Sequence, residues 1–153
     1  MKKSIGIFVF LLSTVVLMSS CKKDVKYLPG TWKVIAASVN NDSEDDIRDV
    51  WTFNSGSDCV IECDLDEYFD DVPDYNVVTF GGSYSTNGND KLVITGEKFN
   101  VSDNRSEQVI YDLDIITLTK STLMVSGTIK YNRYMDNSTD NRTSTVSLTL
   151  TRK

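Results

Sequence analysis

From Thr31 to the C-terminus, apolar and polar positions alternate in short runs and never settle into a helical period of useful length. The last run is the clearest: Val146, Leu148 and Leu150 fall on one face, and Thr145, Ser147, Thr149 and Thr151 on the other. That period of two belongs to a half-buried strand. Runs of this kind, rich in Val, Ile, Thr and Tyr and bounded by Gly, Asn, Asp and Ser, predict eight strands over 31–39, 48–54, 58–64, 78–86, 91–96, 108–119, 122–132 and 143–152.

The connections set the topology. "NSGS" at 54–57 and "NGND" at 87–90 are hairpin turns in which Gly or Asn takes positive φ, and "KST" at 120–122 is equally tight. Strands joined this way are antiparallel neighbours, so the chain is expected to be all-β, an up-and-down meander of about eight strands. Its two free edges are best satisfied by closing on each other into a barrel. The longer links, 40–47, 65–77, 97–107 and 133–142, read as polar surface loops.

Alternation turns Trp32, Trp51, Phe53, Ile61, Phe80, Tyr84, Tyr111, Leu113, Val125, Ile129 and Leu148 inward. An eight-stranded barrel is just wide enough to be filled by such side chains or to hold one small ligand. Two readings therefore stand together. Trp51, Phe53, Phe80, Tyr84 and Tyr111 line an apolar pocket, with tyrosine hydroxyls fixing a polar group, or they simply pack the core. Gly127, on the same face, leaves room for either.

The 153 residues amount to one domain with a segment in front of it. Lys2 and Lys3 precede an apolar run from Ile5 to Met18, followed by Ser19 and Ser20, the pattern of a secretory signal over residues 1–20. The run is shorter than the roughly 20 residues of a spanning helix. "MSSC" at its end resembles the lipobox of bacterial lipoproteins, and the resemblance implies that Cys21 becomes the acylated first residue, with 21–29 a tether and 30–153 the barrel domain. Several acyl chains on one residue anchor stably, at about 0.8 kcal/mol per buried methylene. The alternative is a secreted protein in which Cys21 is incidental. Lys22, in place of Asp, implies by the same resemblance the outer membrane, with the periplasmic face as default and surface exposure open.

Removal of the leader takes away two lysines, leaving 14 bases against 22 acids and a formal charge of −8. Nucleic acid is a poor partner for such a chain. The acids cluster: thirteen carboxylates and one base, Arg48, lie between Asp42 and Asp74. In "DLDEYFDDVPD" at 64–74, Asp66, Glu67, Tyr68, Phe69, Asp70 and Asp71 are expected to form a lid over the barrel or a surface that meets a basic envelope protein. A calcium site is disfavoured because the spacing lacks the Gly and the Asp/Asn positions of an EF-hand loop.

"CVIEC" sets Cys59 and Cys63 roughly 13 Å apart on one face of a straight strand, beyond the limit of about 7 Å for a disulfide, so a bridge requires a bend and two buried thiols are the other outcome. With no His in the chain, zinc and the Ser-His and Cys-His nucleophile systems have little to build on. Asp112 and Asp114 share a strand face that reads as the barrel exterior. The expectation is a protein that is not an enzyme and uses neither cofactor nor metal.

"GTW" at 30–32 opens the first strand, and "WTF" at 51–53, "YSTNGNDKLVIT" at 84–95 and "LTLTRK" at 148–153 follow. On these motifs the chain resembles the lipocalin-like lipoproteins of Bacteroidetes and, more distantly, lipocalins and fatty-acid-binding proteins. The resemblance implies that Trp32 closes the barrel floor and Gly30 lets the chain turn in. In lipocalins an Arg packs over that Trp; here Arg152 fills the place or it is empty. The Arg-x-Tyr carboxylate clamp of fatty-acid-binding proteins is not visible. The leading expectation is a carrier of a small apolar ligand. The rival is an interaction or structural module with a solid barrel and an acidic partner-binding loop.

Overall fold

The computed structural model describes residues 24–44, 47–70, 77–102, 104–135 and 138–153. Its strands are β1 (Gly30–Val39), β2 (Asp42–Glu44), β3 (Val50–Phe53), β4 (Asp58–Cys63), β5 (Val78–Asn87), β6 (Lys91–Asn100), β7 (Arg105–Leu118), β8 (Thr122–Met135) and β9 (Ser138–Arg152). All pairings are antiparallel. β1 pairs with β3, each later strand pairs with the next, and β9 returns to β1, so eight strands close into a barrel. The three residues of β2 continue the edge of β1 beyond the point where β3 leaves it.

Each of the eight barrel strands falls on a run that alternation predicts. The difference lies at the hairpins. Segments 97–107 and 133–142, expected as loops, are largely strand, because β6 extends to Asn100, β7 starts at Arg105, β8 extends to Met135 and β9 starts at Ser138. The core ends there, and with it the apolar alternation, but the backbone ladders continue. Polar cross-strand pairs accompany them: Gln108 donates to Glu97 at 2.9 Å, and Asn132 donates to Gln108 at 3.1 Å. Link 40–47 likewise yields β2.

The barrel has two ends. The floor carries Gly30, the turns before β4, β6 and β8, and the C-terminus. The mouth carries the turn at 40–41, β2, the segment 64–70 and the far ends of β6 to β9. Between them the inward residues pack solidly, with Trp32, Trp51, Ile61, Phe80, Leu92, Ile94, Tyr111 and Leu113 at 0 % exposure. Bulges after Val34 and after Ile115 switch the inward parity of β1 and β7, which leaves Ile35 and Ile116 on the outer surface while both strands keep filling the core.

The floor explains the opening Gly-x-Trp. Trp32 is fully buried and its Nε1 donates to the Leu28 carbonyl at 2.8 Å. The Arg152 guanidinium lies 4.6 Å from the Trp32 ring centre, a cation–π contact. It also donates to the carbonyls of Lys120 at 2.8 Å and Pro29 at 2.9 Å, and to that of Tyr27. One side chain therefore ties the entering chain, the β7–β8 turn and the C-terminal strand together. Gly30 has φ +134°, and a Cβ there would stand 2.3 Å from Arg152 Nη1. Only glycine accepts both conditions.

Candidate functional site

The aromatic residues singled out as a pocket form part of the packed interior. Trp51 meets Tyr111 edge-on at 4.9 Å and Phe53 at 6.2 Å, and Phe53 meets Tyr84 at 4.9 Å. Phe80 is fully buried opposite Ile61. Tyr84 alone is partly exposed, and its hydroxyl donates to the Asn54 carbonyl at 2.7 Å near the floor. Gly127 does not leave the room expected of it. A Cβ there would lie 2.1 Å from the Asp112 carbonyl oxygen, so the backbone of β7 occupies the space.

At the mouth, segment 64–70 folds inward. After a 3-10 turn at Leu65–Glu67, Tyr68 and Phe69 are buried, at 1 % and 5 % exposure, whereas Asp66 and Asp70 stay exposed and Glu67 is intermediate. Asp71 lies outside the described residues, as does Cys21. Phe69 packs 5.9 Å from the ring of Tyr131 on β8. Ser144 Oγ donates to the Tyr68 carbonyl at 2.6 Å, and Arg142 donates to the Asp70 carbonyl. The apolar half of this acidic segment thus plugs the mouth, and its carboxylates face solvent.

What holds the plug is a carboxylate that the sequence reading passed over. Asp49 precedes β3 and is completely buried. Its Oδ1 accepts from the Asp64 backbone N–H at 2.8 Å, and its Oδ2 accepts from the Tyr68 hydroxyl at 2.8 Å. The Tyr111 hydroxyl stands 3.5 Å from Oδ2 and 3.2 Å from Cys63 Sγ. Burial pushes the Asp49 carboxyl up to about 6, against the pull of its hydrogen bonds from Asp64 and Tyr68. The signal was available: Asp49, Trp51 and Phe53 share one face by alternation. Asp64 is buried as well and takes a 2.8 Å hydrogen bond from Arg48 Nε.

Outside the plug an open cleft of about 480 Å³ runs between β2, segment 66–70 and β9. Among the described residues, Asp42, Glu44, Asp66, Glu67 and Asp70 line it, with Arg142 as the one base. Arg142 is itself engaged by Asp140 at 2.9 Å. The cleft therefore presents a surplus of carboxylates, drawn from two segments well apart in the chain.

The other marked residues have local roles. Cys59 and Cys63 are free thiols, both buried on the inner face of an unbroken β4. Burial raises the thiol of Cys63 well above its usual range and that of Cys59 to about 11, so neither is a thiolate at neutral pH. Asp112 and Asp114 are exposed on the barrel wall and share Lys91, at 3.6 Å and 2.9 Å. Among the described residues, no three carboxylates or thiols converge as a metal site would require, and no helix is long and apolar enough to cross a membrane.

No protein-family model, curated protein or solved structure matches the chain. The closed eight-stranded antiparallel barrel is the architecture that the lipocalin-like resemblance implies, and it is one compatible with binding a ligand.

Proposed function

We propose that this chain is a non-enzymatic, lipid-anchored envelope protein of the lipocalin-like kind, and that its barrel is a solid scaffold presenting a binding surface at the mouth. The observation that carries this reading is the acidic cleft, in which five carboxylates surround one already engaged arginine. A basic segment of an envelope protein complements such a surface, and electrostatic attraction of this kind speeds encounter and weakens with salt. The packing supports the choice of mouth over lumen: an apolar cargo inside the barrel would have to displace Trp51, Phe53 and Tyr111, which already fill it.

The placement of the ends supports the anchor. The tether enters at the floor, where Leu28 is buried and Trp32 and Arg152 clamp the chain, so acyl chains on Cys21 would leave the mouth pointing away from the bilayer. Lys22, standing where an inner-membrane retention signal has Asp, favours outer-membrane residence by the resemblance to envelope lipoproteins.

Photocrosslinkers placed at Asp42 and Glu67 in living cells test the reading. A basic envelope protein is expected to crosslink from both positions, and a variant neutralised at Asp66, Glu67, Asp70 and Asp71 is expected to capture little of it. Equal capture by the neutralised variant refutes the acidic cleft as the binding surface.

A further inference from the structure

The far ends of β6 to β9 continue past the plug as a four-stranded extension. Its inward side is the same side of the sheet as Val109 and Ile129, yet it carries charged groups: Lys98, Arg105, Glu107 and Arg133, with Asp140 and Arg142 of β9 paired to each other beside them. Register sets Glu107 directly opposite Lys98 on one neighbour and Arg133 on the other, and sets Arg133 opposite Asp140, whose carboxylate is taken by Arg142 at 2.9 Å. Charged groups are taken out of water at considerable cost unless their hydrogen-bonding capacity is met.

That capacity is half met. Glu107 is 1 % exposed. Its Oε1 accepts from the Tyr131 hydroxyl at 2.5 Å and lies 3.7 Å from Arg105 Nε. Its Oε2 is buried with no hydrogen-bond partner among the described residues, and so is Nε of Arg133. Neighbouring strands are only about 5 Å apart, so a purely structural pair at these positions would close on itself. Folded proteins rarely leave a buried carboxylate oxygen and a buried guanidinium N–H open side by side. Phe69, packed on Tyr131, supplies an apolar wall next to them.

We propose that this inward face binds a small amphoteric ligand of the α-amino-acid class. Its carboxylate pairs with the guanidinium of Arg133, with Lys98 and Arg105 adding positive field, and its ammonium donates to Oε2 of Glu107. The two open groups decide the class. A simple anion satisfies Arg133 but leaves Glu107 Oε2 unmet and places a second negative charge beside it. A simple cation satisfies Glu107 and leaves Nε of Arg133 without a partner. Only a ligand carrying both a carboxylate and a donor meets both, and a guanidinium is well shaped for carboxylate. This site shares only Phe69 with the lining of the acidic cleft, and a failure of either reading leaves the other standing.

Glycine and L-leucine are the probes, with acetate and methylamine as the two halves of glycine, added to the full-length mature protein in detergent and followed by calorimetric titration and thermal melting. The amino acids are expected to bind saturably and raise Tm, and the two halves, alone or mixed, are expected not to. Glu107→Gln should weaken binding about tenfold or more, because it removes the charge opposite the ammonium. Arg133→Lys, at a half-buried position, keeps the charge and the fold and should weaken binding by a similar factor through loss of the forked donor. Three outcomes overturn the proposal: no saturable binding of either amino acid up to on the order of 10 mM, acetate binding as well as glycine, or an Arg133→Lys protein that melts normally and binds unchanged.

Discussion

Gly30, Trp32 and Arg152 show how much one residue can decide when several constraints meet at it. Gly30 sits at positive φ with its missing Cβ replaced by the Arg152 guanidinium, so Gly30→Ala brings backbone strain and a clash together. A loss of about 1–3 kcal/mol is expected in urea denaturation. Trp32→Ala removes the fully buried ring that the same arginine covers and should cost about 3–5 kcal/mol. Asp49 acts through its titration. Its carboxyl is raised in the folded protein from 3.8 to about 6, so the native state holds this proton more tightly than the unfolded chain does. The stabilisation is complete below about pH 4 and is lost as pH rises through about 6, a change on the order of 3 kcal/mol. Stability curves of wild type and Asp49→Asn, measured from pH 4 to 8, are therefore expected to converge or cross as the wild-type term disappears. Parallel curves would show that Asp49 does not titrate in this window.

At the scale of elements, the plug is held by few contacts, and its behaviour should reflect them. Tyr68→Phe removes one of the two short hydrogen bonds to Asp49 while keeping the ring, and should destabilise by about 1–2 kcal/mol. Amide exchange in 64–70 should quicken more than in β7 or β8, and uniform quickening would mean that the plug does not open by itself. The barrel strands were legible because one face of each is buried, and the period of two records that asymmetry. The outer halves of the β6–β7 and β8–β9 hairpins were not, since Lys98, Arg105, Glu107 and Arg133 put charge on the inward side where alternation looks for Val or Leu. β2 is three polar residues that pair by backbone alone, and no side-chain pattern marks it. Tyr68 and Phe69 stood out as aromatics inside an acidic run. Their burial needed Asp49, fifteen or more residues earlier, and that long-range pairing leaves no local trace.

Over the whole molecule, the charge and the packing divide the labour between the two ends. The floor is closed by Trp32 and Arg152, the middle is filled with aromatic and branched side chains, and the acidic cleft and the unpartnered atoms of Glu107 and Arg133 lie toward the mouth. Gly-x-Trp marked the floor in the sequence, whereas Arg152 over the Trp32 ring was one of two open outcomes. The filled middle was only one of two readings, because the same inward aromatics describe a lined pocket or a solid core until their rings are seen to touch. Cys21→Ser tests the anchor: the protein is expected to leave the membrane fraction and remain folded, whereas continued membrane residence would show that Cys21 does not hold it there. Whether the barrel is solid and binds at its mouth is decided by a native mass spectrum of the protein purified gently from its own envelope, recorded before and after unfolding. A solid barrel is expected to carry no lipid or other apolar molecule at one per chain. A stoichiometric apolar mass, present in the folded protein and released on unfolding, would contradict it.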